Sequence, residues 1–143
     1  MSEIRIDLVE GLNETPALAL AVRGWAEVYE RGFSDGTMSV HASQHALVAY
    51  AANGRDQLPV GVMTFCHDED LKRIWIFIGY VIPEFRGQGI YNALWSRIVA
   101  IATELKVPSI QSGVHVRNSA MRAVGARQGR REDAVILRFD ITA

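Results

Sequence analysis

The 143-residue chain has a single cysteine, Cys66, so no intramolecular disulfide can form and no metal site can be built from cysteines alone. No apolar run approaches the ~18 residues of a membrane-spanning helix. The opening Met1-Ser2-Glu3-Ile4-Arg5 lacks the basic-then-apolar order of a secretory leader. A cytoplasmic protein without a membrane partner is therefore expected. An excess of either charge is also missing: 15 Lys and Arg stand against 16 Asp and Glu, a net charge of −1. Bulk electrostatics gives no reason to expect a nucleic acid or an anionic membrane. There is no internal repeat, low-complexity tract or linker. With 49% apolar and 22% charged residues, the composition is that of one ordinary globular domain spanning 1–143 with one core.

The charge is locally uneven. Arg117, Arg122, Arg127, Arg130 and Arg131 fall in one stretch with no acid before Glu132, whereas Glu3, Asp7, Glu10, Glu14, Glu27, Glu30 and Asp35 occupy the first third. A short basic stretch on a near-neutral chain suits a phosphate-bearing small ligand better than a long polyanion.

Periodicity supplies the elements. Ile4–Leu8 alternates as a half-buried strand. Thr15-Pro16 reads as cap and first residue of a helix running to about Glu30, with Leu18, Val22, Trp25, Ala26 and Tyr29 on its inner face. Residues 31–43 read as a loop or short helix. Ala46–Ala51 and Val60–Phe65 are strands around an Asn53-Gly54 turn signal, and Leu71–Ile82, rich in β-branched and aromatic residues, is a long buried strand. Pro83 ends it. Ile90–Leu105 is an amphipathic helix, Ser109–Val116 a strand, Asn118–Gln128 a helix capped by Asn118, and Ala134–Ile141 a last strand, one edge of which suits pairing with a second subunit as a homodimer. Antiparallel strands followed by a strand–helix–strand crossover imply a mixed α/β sheet, mostly antiparallel, with helices packed on it.

The strongest chemical signal lies between the long strand and the second helix: Pro83-Glu84-Phe85-Arg86-Gly87-Gln88-Gly89-Ile90-Tyr91. Glycines at 87 and 89 allow a tight curl and close approach of a ligand to the backbone. The first amides of the following helix lack intrahelical acceptors and point toward an anion, and Arg86 adds a charged donor. No Gly-Lys-Ser/Thr follows, and no third glycine with a distant acid, so the nucleotide-binding loops of the P-loop and Rossmann kinds do not fit.

This segment resembles the acyl-CoA pyrophosphate loop of the GNAT N-acetyltransferase superfamily, Arg/Gln-x-x-Gly-x-Gly/Ala. Arg86 and Gly89 match the first two fixed positions, and Tyr91 stands where the family has Gly or Ala, so its ring would either crowd the diphosphate or stack beside the cofactor. The order of elements is similar over nearly the whole chain, and Asn118–Gly129 is similar to the family's Asn…Gly pattern near the C-terminus, with Met121 in place of its alanine. The resemblance implies a sheet splayed between its fourth and fifth strands, with helices on both faces. It further implies acetyl-CoA as cosubstrate, with pantetheine pairing near Tyr80, Val81, Ile82 and Asn118 and the diphosphate on Arg86, Gly87, Gln88, Gly89, Ile90 and Tyr91. The implied activity is direct acetyl transfer to a primary amine of a small molecule or peptide. The alternative is a module of the same fold that binds acyl-CoA but transfers weakly.

Acyl transfer to an amine needs a base for the ammonium, a stabilised oxyanion and a proton for the thiolate. The tyrosine that many family members use as acid falls at Gly125 here, which has no side chain. Tyr80 at the strand end and His115 before Asn118 are the catalytic candidates, with the acidic connector His67-Asp68-Glu69-Asp70 as a further source of a base. Trp25, Trp75 and Trp95 read as core residues and Glu84 as part of the turn. Four histidines, of which only His41 and His45 have helical spacing, do not make a metal site, and none is expected.

Overall fold

The computed structural model describes residues 3–13 and 16–141, in two compact units, 1–113 and 114–143. The first unit runs β1 (Ile4–Val9), α1 (Ala17–Glu30), β2 (His45–Asn53), β3 (Asp56–Asp68), β4 (Arg73–Val81), a 3-10 turn at Pro83–Phe85, α2 (Ile90–Glu104) and β5 (Ser109–Ser112). Its sheet has the order β1-β2-β3-β4-β5, antiparallel except for the parallel pair β4 and β5.

Asn53 pairs with Asp56, so β2 and β3 extend to a two-residue turn at Gly54-Arg55, tighter than the strand limits read from the sequence. Gly54 has φ 64°, the left-handed conformation such turns require. At the far end of the hairpin, β3 continues through His67-Asp68, so only residues 69–72 form the second connector. Thr64 pairs with Ile78 and Phe65 with Ile76, leaving Phe77 as an extra residue in β4. This bulge changes which face the later residues of β4 present. The parallel pairing runs from Arg73↔Ser109 to Ile76↔Ser112 and ends at the bulge. Beyond it Phe77–Val81 has β3 on one side and, among the described residues, no strand of the sheet on the other. The splay expected between the fourth and fifth strands is thus present.

The helices take opposite faces. A Cβ on Gly24 of α1 would stand 2.8 Å from Cβ of Tyr80 and 3.1 Å from Cγ1 of Ile78, whereas one on Gly79 would stand 2.6 Å from Cε2 of Tyr91 in α2. Successive strand residues point to opposite faces, so α1 covers the side of Ile78 and Tyr80 and α2 the side of Gly79. The buried stripe of α1 is Ala17, Leu20, Ala21 and Gly24; of the face expected, Leu18, Trp25 and Ala26 are half-buried and Val22 and Tyr29 are exposed. Small residues won because they let the helix axis lie close to the sheet. In α2 the stripe is Ile90, Leu94, Ile98 and Ala102, with Leu105 past its end and exposed. Pro16 is the N-cap of α1 and its carbonyl accepts from Leu20 N, while the expected cap Thr15 lies outside the described residues.

The second unit contains α3 (Ser119–Arg127), whose N-cap Asn118 accepts from Met121 N through its side chain at 3.1 Å. Two sequence expectations fail near it. The strand beginning at Ser109 stops at Ser112 rather than Val116, and Ala134–Ile141 forms no strand. Val135, Ile136, Leu137, Phe139 and Ile141 are 84–91% exposed, so the apolar pattern of this segment is left open to solvent.

Candidate active site

The loop after β4 is built by its glycines. Pro83–Phe85 makes one 3-10 turn, closed by Arg86 N donating to Pro83 O, and Arg86 then returns to extended backbone. Gly87 and Gly89 have φ of 79° and 80°, the left-handed region that an L side chain resists by ~1–2 kcal/mol. No described atom lies within 4 Å of where either Cβ would be. Their side-chain positions therefore open onto clear space, which suits a ligand laid against the backbone. Gly89 is the N-cap of α2, no side chain caps that helix, and the positive end of its dipole meets the loop. A phosphate group fits this arrangement.

Arg86 is placed differently from a free cation. Its Nε donates to Val81 O at 2.8 Å, and Nη2 donates to Glu27 Oε1 and Oε2 at 2.9 and 2.8 Å. Its guanidinium carbon sits 5.5 Å from the Tyr80 ring centroid. Ile82 N donates to Val60 O, on the β3 side. By the alternation of a strand, the Val81 N–H and C=O face the opening where β5 is absent. Tyr80, Val81 and Ile82 are buried, and the Tyr80 ring also has the Arg23 guanidinium 5.7 Å from its centroid. These residues and the loop 86–91 all belong to the first unit.

Tyr91, where the loop pattern of its resemblance has a small residue, folds its ring onto β4 over Gly79. The small residue that makes room is thus found twelve positions earlier, at 79, and sequence spacing alone gave no sign of that exchange.

His115 and Asn118 belong to the second unit. His115 lies in a turn rather than on a strand, and its Nδ1 accepts from Arg117 N at 3.1 Å. That nitrogen is the basic one of the neutral ring, so the imidazole keeps an N–H at Nε2 and can donate a hydrogen bond from it. Gly125 is in the middle of α3, and a Cβ there would meet only Cβ of Arg130, at 3.9 Å.

The acidic connector is a turn held by its own side chains: Asp68 accepts from Leu71 N and from Arg73 Nε, and Arg73 also donates to Gln111 across to β5. His41 is in a loop and His45 opens β2, its ring 5.7 Å from that of Phe65, so the helical spacing of the pair has no helix behind it. Trp25, Trp75 and Trp95 are half-buried. Among the described residues no group of three His, Cys, Asp or Glu is placed to hold a metal ion, and no helix is long and apolar enough to cross a membrane.

Missed by sequence reading is a cavity of ≈ 580 Å³ in the first unit, lined by Ala26, Tyr29, Glu30, Asp35, Gly36, Thr37 and Met38. Two carboxylates and an aromatic ring on its wall favour a cation.

A family model described as the acetyltransferase (GNAT) family matches residues 16–129. The chain belongs to that family. No curated protein matches it significantly. Among solved structures, the aminoglycoside N-acetyltransferase AAC(6')-Iy in complex with CoA is similar over 100% of this chain and 97% of its own, with 16% identity and a TM-score of 0.64. The aminoglycoside 6'-N-acetyltransferase AAC(6')-Ih from Acinetobacter baumannii is similar over 99% of both chains, with 17% identity and a TM-score of 0.67. AAC(6')-Iy with a bisubstrate analogue, CoA-S-monomethyl-acetylneamine, aligns over 97% of this chain and 99% of its own at 16% identity and a TM-score of 0.59. At these identities the likeness establishes the fold.

Proposed function

We propose that this GNAT-family protein transfers an acetyl group directly from acetyl-CoA to a primary amine of a small molecule or peptide, its two units acting as one acyltransferase domain. The observation that carries the reading is the left-handed pair Gly87 and Gly89, open to ligand at the head of α2 and next to the unpaired edge of β4. The loop backbone from Arg86 to Tyr91 holds the diphosphate. The edge at Tyr80, Val81 and Ile82 pairs with the amide-bearing arm through the outward-facing Val81 N–H, the Val81 C=O being held by Arg86. Asn118, with Oδ1 engaged by Met121, has its carboxamide N–H groups for the same arm. The structural likeness to CoA-bound relatives supports this assignment.

In the reaction the amine nitrogen, once neutral, attacks the thioester carbonyl. The N–C bond forms, the C–S bond breaks, the nitrogen gives up a further proton to solvent as the amide forms, and the thiolate takes one. His115 is suited to steady the departing thiolate with a hydrogen bond from Nε2–H, because Nδ1 is engaged by the turn, and the proton itself comes from solvent. Tyr80, whose ring lies between the guanidinium groups of Arg23 and Arg86 at the end of β4, is the candidate to receive the ammonium proton. The carboxylates Glu30 and Asp35 on the cavity wall would draw a cationic acceptor toward α1.

A second reading, an acyl-CoA-binding module with weak chemistry, is favoured by Gly125, which leaves α3 without the family's proton donor. One experiment separates the two: acetyl-CoA is incubated with the protein and a panel of mono- and polyamines, and free thiol is measured. Release that depends on both protein and amine supports transfer. Tight acetyl-CoA binding with no release above background for any amine would leave the binding module. The homodimer belongs to the same proposal: the exposed apolar strip 135–141 needs cover, and strand pairing with a second copy would supply it.

A further inference from the structure

The functional reading gives Arg86 to the diphosphate, yet the structure commits most of that guanidinium to protein groups. Nε holds Val81 O at 2.8 Å, and Nη2 lies between the two carboxylate oxygens of Glu27 at 2.9 and 2.8 Å. The Tyr80 ring flanks the same guanidinium. Glu27 also pairs at 3.5 Å with Arg31, the C-cap of α1. Its side chain is 26% exposed and that of Arg86 35%, so the pair is partly shielded from water. Of the five donors on Arg86, these contacts leave chiefly the two on Nη1 for a ligand.

The consequence is mechanical. Arg86 is the residue between the 3-10 turn and Gly87, and the loop beyond it has two glycines with no side chains to hold it. Glycine segments lose the most conformational freedom when ordered. Clamping Arg86 to α1 on one side and to the end of β4 on the other fixes the entrance of the loop. It also joins Glu27, 59 positions away in sequence, to the ligand loop.

We propose that Glu27 is a positioning residue for acyl-CoA: it holds Arg86 so that the 87–90 backbone is already shaped for a diphosphate before the ligand arrives. The proposal rests on the acyl-CoA reading for its ligand but not for its mechanics, and the test separates the two. Glu27→Ala and Glu27→Gln are compared with the unaltered protein by amide hydrogen exchange of the free protein and by calorimetric titration with acetyl-CoA. In Glu27→Ala, exchange over 85–90 should speed up about tenfold while β3 and β4 stay protected, and the acetyl-CoA dissociation constant should rise about tenfold, the weight of one partly screened charge-assisted ion pair. Glu27→Gln keeps one acceptor oxygen and should recover part of both effects, which a general loss of structure would not show. Unchanged exchange in Glu27→Ala, or acetyl-CoA binding as tight as or tighter than in the unaltered protein, overturns the proposal; the tighter outcome would mean that Glu27 merely neutralises a cation the ligand could use. If the unaltered protein binds no acetyl-CoA while the exchange response to Glu27→Ala persists, the clamp stands and the acyl-CoA reading falls.

Discussion

Replacing Gly24 by alanine should destabilise this protein, although the same change in an open helix stabilises it. Alanine is better than glycine in a helix interior by about 1 kcal/mol. At Gly24 the new methyl carbon would stand 2.8 Å from Cβ of Tyr80, 3.1 Å from Cγ1 of Ile78 and 3.2 Å from Cγ of Tyr80. The closest of these is fixed to the β4 backbone and cannot rotate away, and β4 is bonded along its length to β3. Helix α1 must therefore lift from the sheet, and overpacking of this kind costs about 1–3 kcal/mol. The net expectation is a loss of about 1 kcal/mol, read as a lower urea midpoint with an unchanged slope. Gly125→Ala is the control, since its nearest contact would be 3.9 Å away and it should show the helix-propensity gain without strain. If Gly24→Ala were stabilised as much as Gly125→Ala, the close approach of α1 to Tyr80 would be wrong, and with it the placement of Glu27 against Arg86.

Gly79→Ala should lower stability because its Cβ would lie 2.6 Å from Cε2 of Tyr91, and Tyr91→Ala should lower it by emptying the same notch; the double variant should be less destabilised than the sum, as a double-mutant cycle in urea will show. Burial first, and then the charge of Asp68, push the Cys66 thiol above its ordinary range. The folded form then keeps its proton where the unfolded chain has lost it, so this contribution to stability is intact below the ordinary thiol range and declines as pH rises through it. Labelling by an aromatic disulfide reagent near neutral pH should accordingly be slower in the native protein than in urea, and equal rates would contradict the shift. The pair Leu137→Asp and Phe139→Asp, on the exposed strip, should convert a dimer to a monomer by light scattering while leaving acetyl-CoA binding in place; a monomer before substitution would remove the homodimer from the account.

Elements with strong periodicity were legible before the structure. The limits of α2 and α3 and the capping role of Asn118 follow directly from residue types, and Pro83 and the glycines marked the loop at 86–91. Less visible were features set by tertiary contact. The inner face of α1 could not be read from hydrophobicity, because Gly24 and Ala21 are inside to bring the helix near Tyr80 rather than to bury area themselves. The bulge at Phe77 depends on cross-strand register with Thr64 and Phe65, which single-strand patterning does not contain. The partnership of Glu27 with Arg86 spans two elements and leaves no local signal. Ala134–Ile141 shows the reverse failure: its pattern is that of a strand, yet a strand forms only where an edge receives it.

The central claim is that the loop at Arg86–Tyr91 receives the diphosphate of acetyl-CoA. Its most direct test is a calorimetric titration of acetyl-CoA into the unaltered protein and into Gly89→Trp, whose fold is first checked by circular dichroism. No described atom stands near the Gly89 side-chain position, so beyond the ~1–2 kcal/mol that an L residue costs at its φ of 80° the indole should occupy the ligand's space rather than disturb the core. The account predicts micromolar binding, about 8 kcal/mol, that the variant loses. Binding of equal strength in a folded Gly89→Trp, or no binding by the unaltered protein, would contradict it.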